Sequence, residues 1–347
     1  MKGYLPLSLP ALFLSGNICF LIAVMFCFIS PSSALANESL KVQVGLRVHQ
    51  ITSINQKEEN FSAVATLILQ YHEPALALDS GSESNPRMYE GPKFIQLMAE
   101  KELLWPAVSF YNAQGRIAYQ NRLVAVDSAG NVTYFARLTA TFQAPDFDFR
   151  DFPFDTQRFN IILDSVLPLH RVIFTELEGF SNIGDTLGEE EWILGNAQTE
   201  LTEHDELSFK STRFIFSFEG IRHLNYYFVR IFVPTIIIIL VSWFTFFLKD
   251  YGKRIDIASG NLLLFIAFSF TIANDLPRLG YLTLMDLFLL ATFIITGLVV
   301  LANVMMKRLQ RIERNNLINR IDTIGILGYP LFYLGAGVLI FLLFYIR

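Results

Sequence analysis

Cysteine is almost absent from this sequence. Only two of the 347 residues are cysteine, Cys19 and Cys27, and both lie in an apolar stretch at the N-terminus. If that stretch is cleaved off, the remaining chain contains no thiol. This absence excludes disulfide bonds, thiolate catalysis, iron–sulfur clusters and cysteine-ligated zinc. An exported domain without disulfides must depend on its hydrophobic core alone for stability.

Catalytic motifs and basic patches are also missing. The sequence contains no H-E-x-x-H, G-x-S-x-G or Walker-type pattern. The formal net charge is −5, without the basic stripe that nucleic-acid binders carry. The sequence therefore predicts a protein that is not an enzyme and that binds no cofactor, no metal ion at a dedicated site and no nucleic acid. The five histidines are scattered along the chain: His49, His72, His170, His204 and His223.

The first 36 residues have the pattern of a secretory signal. Lys2 provides a positive start, residues 12–29 are almost wholly apolar, and Ala34-Leu35-Ala36 fits the small-residue cleavage rule. The alternative is a retained membrane anchor, because the apolar stretch is long for a signal. The helix-breaking sequence Pro31-Ser32-Ser33 just before the site favours cleavage, so we predict a signal peptide over 1–36.

Residues 37–224 have the mixed composition of a water-exposed domain and read as β-structure. The segments 64–71, 159–163 and 213–218 are short and rich in β-branched and aromatic residues. Turn-forming sequences such as 127–131 separate them. About ten strands over this length predict an antiparallel β-sandwich.

Residues 225–347 are mostly apolar, and their charges lie mainly between long uncharged runs. Four apolar runs cover 231–248, 255–274, 287–306 and 323–346, each close to the roughly 20 residues that cross a bilayer. The predicted fold is therefore a β-sandwich domain, 37–224, followed by an all-α four-helix transmembrane domain, 225–347. Lysine and arginine concentrate in the first and third loops between the runs, which places those loops in the cytoplasm. The sandwich and the C-terminus are then outside.

The second apolar run contains one aspartate, Asp256. An acidic residue at a helix start is favoured by the helix dipole and needs no function. A functional alternative arises from helical spacing, because one face of the run begins and ends polar and is apolar between. Several such helices around an axis would form a pore with charged and apolar rings. The predicted pore-lining residues are Asp256, Gly260, Leu263, Ala267, Phe270 and Asn274.

Several motifs resemble the pentameric ligand-gated ion channels of the Cys-loop receptor superfamily. These are FPFD at 152–155, Trp105-Pro106, Pro234 in the first span, and DLPRLGYLTLMD at 275–286. Pro145 and Phe159 occupy the positions of the loop cysteines of animal receptors, and the loop between spans three and four is short. The resemblance is therefore to the prokaryotic members, most of all the amine-gated branch, and the likeness covers 40–347.

The resemblance implies a homopentamer in the bacterial inner membrane, in contact with lipid, whose sandwich domain and C-terminus lie in the periplasm. It places Asp256 at the selectivity filter, Leu263 at the central gate and Phe270 at an upper constriction. Five Asp256 carboxylates favour monovalent cations, with divalent cations as a second class. Lys253 precedes Asp256 by three residues on nearly the same face, and Arg254 follows it, so both basic residues oppose that selectivity.

The resemblance also implies an agonist site between subunits. Its candidate residues are Tyr111, Phe135, Asp164, His204 and Phe209. Tyr111 and Phe135 are alternatively explained by core or interface packing. The capping segment 200–212 has one aromatic residue and contains a titratable cluster at 203–206. The agonist is therefore either a small molecule or protons. The cluster is alternatively a solvated turn. The acidic run 189–191 is a weak candidate for a divalent ion.

Coupling between the sandwich and the spans is expected at an ion-pair network. By position, the resemblance implies that this network and its surroundings contain Glu58, Phe152, Pro153, Asp155, Arg222, Pro277 and Tyr281. The sequence thus predicts a ligand-gated cation channel. A small membrane transporter and a membrane-anchored periplasmic binding protein are the alternatives. Against a transporter, the sequence lacks the mid-depth helix breaks that are typical of that class, apart from Pro234 and Pro330.

Overall fold

The structure is a computed structural model that describes residues 39–78, 85–184, 191–206, 209–273, 279–313 and 315–345. The predicted signal peptide, the Ala34-Leu35-Ala36 site and both cysteines lie outside the described residues. The described residues from Leu40 onward form one compact unit.

Eleven strands of the described residues form two sheets. The larger, seven-stranded sheet has the order β3-β5-β6-β2-β1-β8, with β9 also paired to β1, and the smaller has the order β10-β11-β7-β4. A short helix, α1 (Gly91–Glu100), follows β3. The strands are β1 Leu40–Asn55, β2 Asn60–His72, β3 Arg87–Glu90, β4 Val108–Phe110, β5 Ala113–Val126, β6 Asn131–Gln143, β7 Thr156–Ser165, β8 Val172–Glu176, β9 Asn182–Ile183, β10 Trp192–Glu206 and β11 Phe209–Arg222.

The sandwich is confirmed, but its predicted purely antiparallel pairing is wrong at one edge. Strands β8 and β9 both pair with β1 in parallel. After β7 the chain leaves the smaller sheet and joins the edge of the larger one. A crossover of this kind allows the new strand to lie parallel to its neighbour, whereas a tight hairpin sets it antiparallel.

The core between the sheets is built from phenylalanine rings. Phe214, Phe216 and Phe218 on β11 are all buried, as their alternation along the sequence predicts. Phe159 on β7 stacks on Phe218 with ring centroids 5.1 Å apart. Phe61 meets Phe159 edge to face at 5.2 Å. Aromatic packing therefore joins the two sheets at this point.

Four helices of the described residues are long and apolar enough to cross a membrane. They are α2 Leu224–Phe247, which contains a π-helical turn at Phe228–Phe232, α3 Tyr251–Ala273, α4 Leu284–Arg311 and α5 Asn315–Tyr345. Each covers most of a predicted span. The N-terminus of α4 is closed by a capping box in which Thr283 and Asp286 bond each other reciprocally. The chain is thus a multi-pass membrane protein with a β-sandwich ahead of its spans.

Candidate functional site

The predicted stripe on α3 is the uncovered face of that helix. Asp256, Gly260, Leu263, Ala267 and Phe270 are all exposed in the single chain, with Leu263 at 68% and Phe270 at 69%. Asn274, the last predicted member, lies outside the described residues. An apolar helix face of this length, with an acidic residue at one end, needs either a partner or water beside it.

The opposite face of α3 is packed against the other spans. Ala258, Asn261 and Phe265 are buried on that face. The Asn261 side-chain amide donates to the carbonyl of Ile238, at 2.8 Å, and to the hydroxyl of Ser242, at 2.7 Å. These bonds fix the rotation of α3 about its own axis relative to α2. The stripe therefore faces outward because the internal face is specified by both packing and hydrogen bonds.

The two basic residues that open α3 have different environments. Lys253 is exposed near the stripe, whereas Arg254 is buried and forms an ion pair with Asp322 on α5 at 2.5 Å. The expectation that Arg254 opposes the charge of Asp256 in the pore is therefore wrong, because its guanidinium is turned into the helix bundle. Lys253 is the one of the two that stays beside Asp256.

Three of the five predicted ligand residues lie together in the sandwich, around Arg213. Arg213 binds the Asp164 carboxylate through two hydrogen bonds, at 2.6 and 2.7 Å, and both side chains are largely buried. The Arg213 guanidinium also lies over the ring of Tyr111, 4.3 Å from its centroid. The ring of His204 meets that of Tyr111 at 5.8 Å. Hydrogen bonding to Asp164 raises the pKa of Arg213 above its ordinary value, which keeps the guanidinium charged.

This geometry limits what the predicted agonist residues of one chain are free to bind. Asp164 already has a cationic partner, and one face of Tyr111 is already covered by a cation. Sequence reasoning missed Arg213, although a signal existed. Arg213 and Asp164 are charged residues at the ends of the apolar segments of β11 and β7, and the register of these two strands places them directly opposite each other.

The remaining ligand candidates lie elsewhere. Phe135 is half-buried on the outer face of the larger sheet, paired in register with Ile68 and Leu123. Phe209 is partly exposed at the start of β11, where it pairs with Glu206. The predicted capping loop is mostly strand, since β10 runs to Glu206 and β11 starts at Phe209. The hairpin extends further because the polar residues on both strands are paired, including an ion pair between Glu203 and Lys210 at 3.3 Å.

A buried ion pair lies where the sandwich meets the spans. Arg222, the last residue of β11, binds both oxygens of Asp155 at 2.7 and 3.0 Å, and neither side chain is exposed by more than 1%. The guanidinium lies 4.1 Å from the centre of the Trp192 ring and 4.8 Å from that of Phe152. A carboxylate that accepts two of its hydrogen bonds and aromatic faces that attract a cation are surroundings in which a buried arginine is tolerated.

The same junction connects directly to α2 and α4. Tyr227 in the first turn of α2 donates to Glu191 at 2.6 Å and contacts Phe152 edge to face at 5.1 Å. The Phe149 N–H donates to the Tyr281 hydroxyl at 3.1 Å. The Leu284 N–H, at the start of α4, donates to the Arg150 carbonyl at 2.7 Å. The loop that carries FPFD therefore holds the sandwich-facing ends of two spans.

One predicted coupling residue, Glu58, is placed differently. Glu58 is exposed and accepts a hydrogen bond from Asn60, so the predicted pairing of Glu58 within the Arg222 network is wrong. Its place is taken by Glu191, 3.5 Å from Arg222, because Glu191 directly precedes β10 and projects into the junction. Glu191 thereby belongs to this ion-pair network. The other members of the acidic run, Glu189 and Glu190, and the predicted coupling residue Pro277 lie outside the described residues.

Comparison with known families adds independent information. The model of the neurotransmitter-gated ion-channel ligand binding domain matches residues 29–222. The model of the neurotransmitter-gated ion-channel transmembrane region matches residues 231–320. The two matches follow each other along the chain as the sandwich and the spans do. The family models therefore cover most of the chain.

Individual relatives have low sequence identity to this chain, but the similarity extends over more than 200 residues. The proton-gated ion channel of Gloeobacter violaceus is 26% identical over 263 residues, which cover 74% of this chain and 69% of that protein. The pH-sensitive chloride channel 2 of Drosophila melanogaster is 25% identical over 272 residues, covering 72% of this chain and 50% of the relative. A gamma-aminobutyric acid receptor subunit beta-like protein of the same fly is 25% identical over 213 residues, which cover 56% of this chain and 40% of that protein. The match thus spans about half or less of these insect relatives.

Proposed function

Because the chain belongs to the family of neurotransmitter-gated ion channels, and is therefore a ligand-gated channel of the pentameric Cys-loop type, we propose that it forms a homopentamer in which five copies of α3 line a cation-conducting pore. The observation that carries this proposal is the exposed stripe on α3. Its apolar residues have no partner among the described residues of one chain. A ring of five subunits turns these stripes toward one axis.

Cation selectivity rests on Asp256. Five carboxylates at the inner end of the pore create a negative ring, which raises the local cation concentration. The pairing of Arg254 with Asp322 removes one of the two opposing charges and leaves Lys253 as the only one of that pair near the ring. One insect relative is a chloride channel by name, so the charge of this ring is the property to test.

Opening is proposed to follow a small ligand or a change of pH at the sandwich. A bacterial relative is named a proton-gated ion channel, which supports protons as the stimulus. The covered face of Tyr111 and the paired Asp164 speak against a simple amine agonist. The signal then passes through the loop that holds Asp155 and Arg222 to the outer ends of α2 and α4.

The proposed location is a bacterial inner membrane, with domain boundaries at 37–224 for the sandwich and 225–347 for the spans. The sandwich and the C-terminus lie in the periplasm, as the distribution of lysine and arginine between the loops supports. Exposed leucines on the outer helices, such as Leu298 and Leu334, contact lipid in this arrangement.

The proposal is tested by expressing the full-length chain in oocytes and replacing Leu263 by serine. A hydrated serine ring should prevent dewetting of the gate and produce a standing current without any agonist. Leu334→Ser is the matched control, because Leu334 is equally exposed but lies on α5. Single-channel steps with ohmic conductance would separate a channel from a transporter. Absence of current in Leu263→Ser, with protein present at the surface, would contradict the proposal.

A further inference from the structure

We propose that Asp322 is a positioning residue for ion selectivity, although it lies on α5 and has no place on the pore-facing stripe. It holds the Arg254 charge inside the helix bundle, so that the inner mouth of the pore presents Asp256 with Lys253 as its only neighbouring cation on α3. This inference rests on the proposed function. It adds a residue whose role is to keep a charge out of the conduction path.

Every N–H group of the Arg254 guanidinium has a partner. Nη1 donates to Asp322 Oδ1 at 2.5 Å and contacts the Met306 sulfur at 3.8 Å, and Nη2 donates to Asp322 Oδ2 at 3.3 Å. Nη2 also donates to the Phe246 carbonyl at 2.9 Å, and Nε donates to the Leu248 carbonyl. The Tyr251 ring lies 4.5 Å below the guanidinium. These partners come from the end of α2, from α3, from α4 and from α5.

Of these partners, Asp322 alone carries a negative charge. Its side chain is 20% exposed, and its second oxygen also accepts from the Tyr251 hydroxyl at 3.0 Å. The carbonyls and the sulfur accept hydrogen bonds from the guanidinium and the ring lies against it, but none of these groups neutralises its positive charge. A buried cation that loses its counter-charge is strongly disfavoured inside a membrane protein. The retention of Arg254 in the bundle therefore depends on Asp322.

The position of Arg254 on α3 decides where its charge goes when released. Lys253 precedes it, and Asp256 follows it two residues later, which on a helix is nearly the opposite side. The aqueous inner mouth of the pore begins at those neighbours. Once its counter-charge is lost, the long Arg254 side chain can turn out of the bundle and along the end of α3, which brings the guanidinium to that water. Five released guanidiniums would then add positive charge at the mouth that the five Asp256 carboxylates make negative.

The test measures reversal potentials in a NaCl gradient, using full-length protein in oocytes and Leu263→Ser as the conducting background. Asp322→Asn should lose most of the cation preference, because Arg254 is released toward the pore. The double variant Asp322→Leu with Arg254→Met should keep the preference, because there is no charge left to release and an apolar pair can replace a buried ion pair. Glu313→Gln is the control, because it makes the same charge change at an exposed position near the inner ends of the spans.

The outcomes separate charge release from damage to the bundle. Unchanged selectivity in a conducting Asp322→Asn channel would overturn the inference, and so would an equal loss in the double variant. If Asp322→Asn does not reach the surface, Tyr251→Phe decides, because it removes the hydrogen bond from the Tyr251 hydroxyl to Asp322 but keeps the ion pair between Arg254 and Asp322. A reversal potential that moves part of the way toward the chloride potential supports the inference, and an unchanged reversal potential overturns it. Absence of current in the Leu263→Ser background alone would instead contradict the proposed function.

Discussion

Replacement of Asp155 by asparagine perturbs the junction between sandwich and spans at its centre. The substitution keeps the shape of the side chain and removes its charge. Arg222 then remains buried beside Trp192, Phe152 and Tyr227 without its main counter-charge. The expected effects are a less stable sandwich and a channel that opens poorly, because the loop that holds α2 and α4 loses its anchor.

The magnitude follows from burial. Removing one partner of a buried ion pair costs about 3–5 kcal/mol, because the other charge is left uncompensated. A whole domain has a stability of only about 5–15 kcal/mol, so this loss is a large fraction of the total. The same loop contains a matched surface pair, Asp148 and Arg150 at 3.1 Å, whose side chains are about half exposed. Breaking an exposed pair costs about 0.2–1 kcal/mol, so Asp148→Asn is the control.

Two assays read out the difference. Denaturant unfolding of purified full-length protein in detergent, followed by tryptophan fluorescence, reports on the site because Trp192 lies against Arg222. Current recordings then compare the response to a pH step at equal surface expression. Asp155→Asn should unfold at clearly lower denaturant and give little current, while Asp148→Asn stays close to the parent. Equal behaviour of the two variants would refute the argument that burial makes the Asp155 pair critical.

Three further predictions concern the sandwich. Burial, and then the charges of two nearby arginines, lower the pKa of His49 from its ordinary 6.5. The stability of the sandwich that depends on neutral His49 is therefore complete above pH 6.5 and is lost as the pH falls. His49→Gln should reduce this loss of stability in unfolding measured as a function of pH. Arg213→Gln should uncover Tyr111 and allow propylamine binding, measured by calorimetry, whereas the parent should bind none. Gly220→Ala should destabilise the fold by about 1–3 kcal/mol, because its Cβ would lie 2.7 Å from a core ring; Gly195→Ala, which meets open space, should have little effect in the same unfolding assay.

The fold was largely predictable because its signals are periodic. Alternating phenylalanines identified β11, and long uncharged runs identified the four spans. The parallel pairing of β8 and β9 with β1 was not predictable in this way, because hydrophobic alternation specifies which face of a strand is buried but not which strand lies beside it.

The candidate sites were predictable where one helix face carries them. Asp256, Leu263 and Phe270 follow from helical spacing, because a single element sets their relation. The partners of charged residues were harder to predict. Arg254 pairs with Asp322, 68 residues away, and Arg213 pairs with Asp164, 49 residues away. Such pairs depend on how separate elements pack, which one sequence does not encode locally.

The central claim is that α3 lines a pore whose acidic ring selects cations. Its most direct test is the reversal potential in a NaCl gradient for Asp256→Asn, compared with its parent in the Leu263→Ser background that conducts without agonist. We predict that the parent reverses near the sodium potential and that Asp256→Asn shifts toward the chloride potential, because the five carboxylates are then neutral. An unchanged cation-to-anion permeability ratio would contradict the assignment of Asp256 as the selectivity filter.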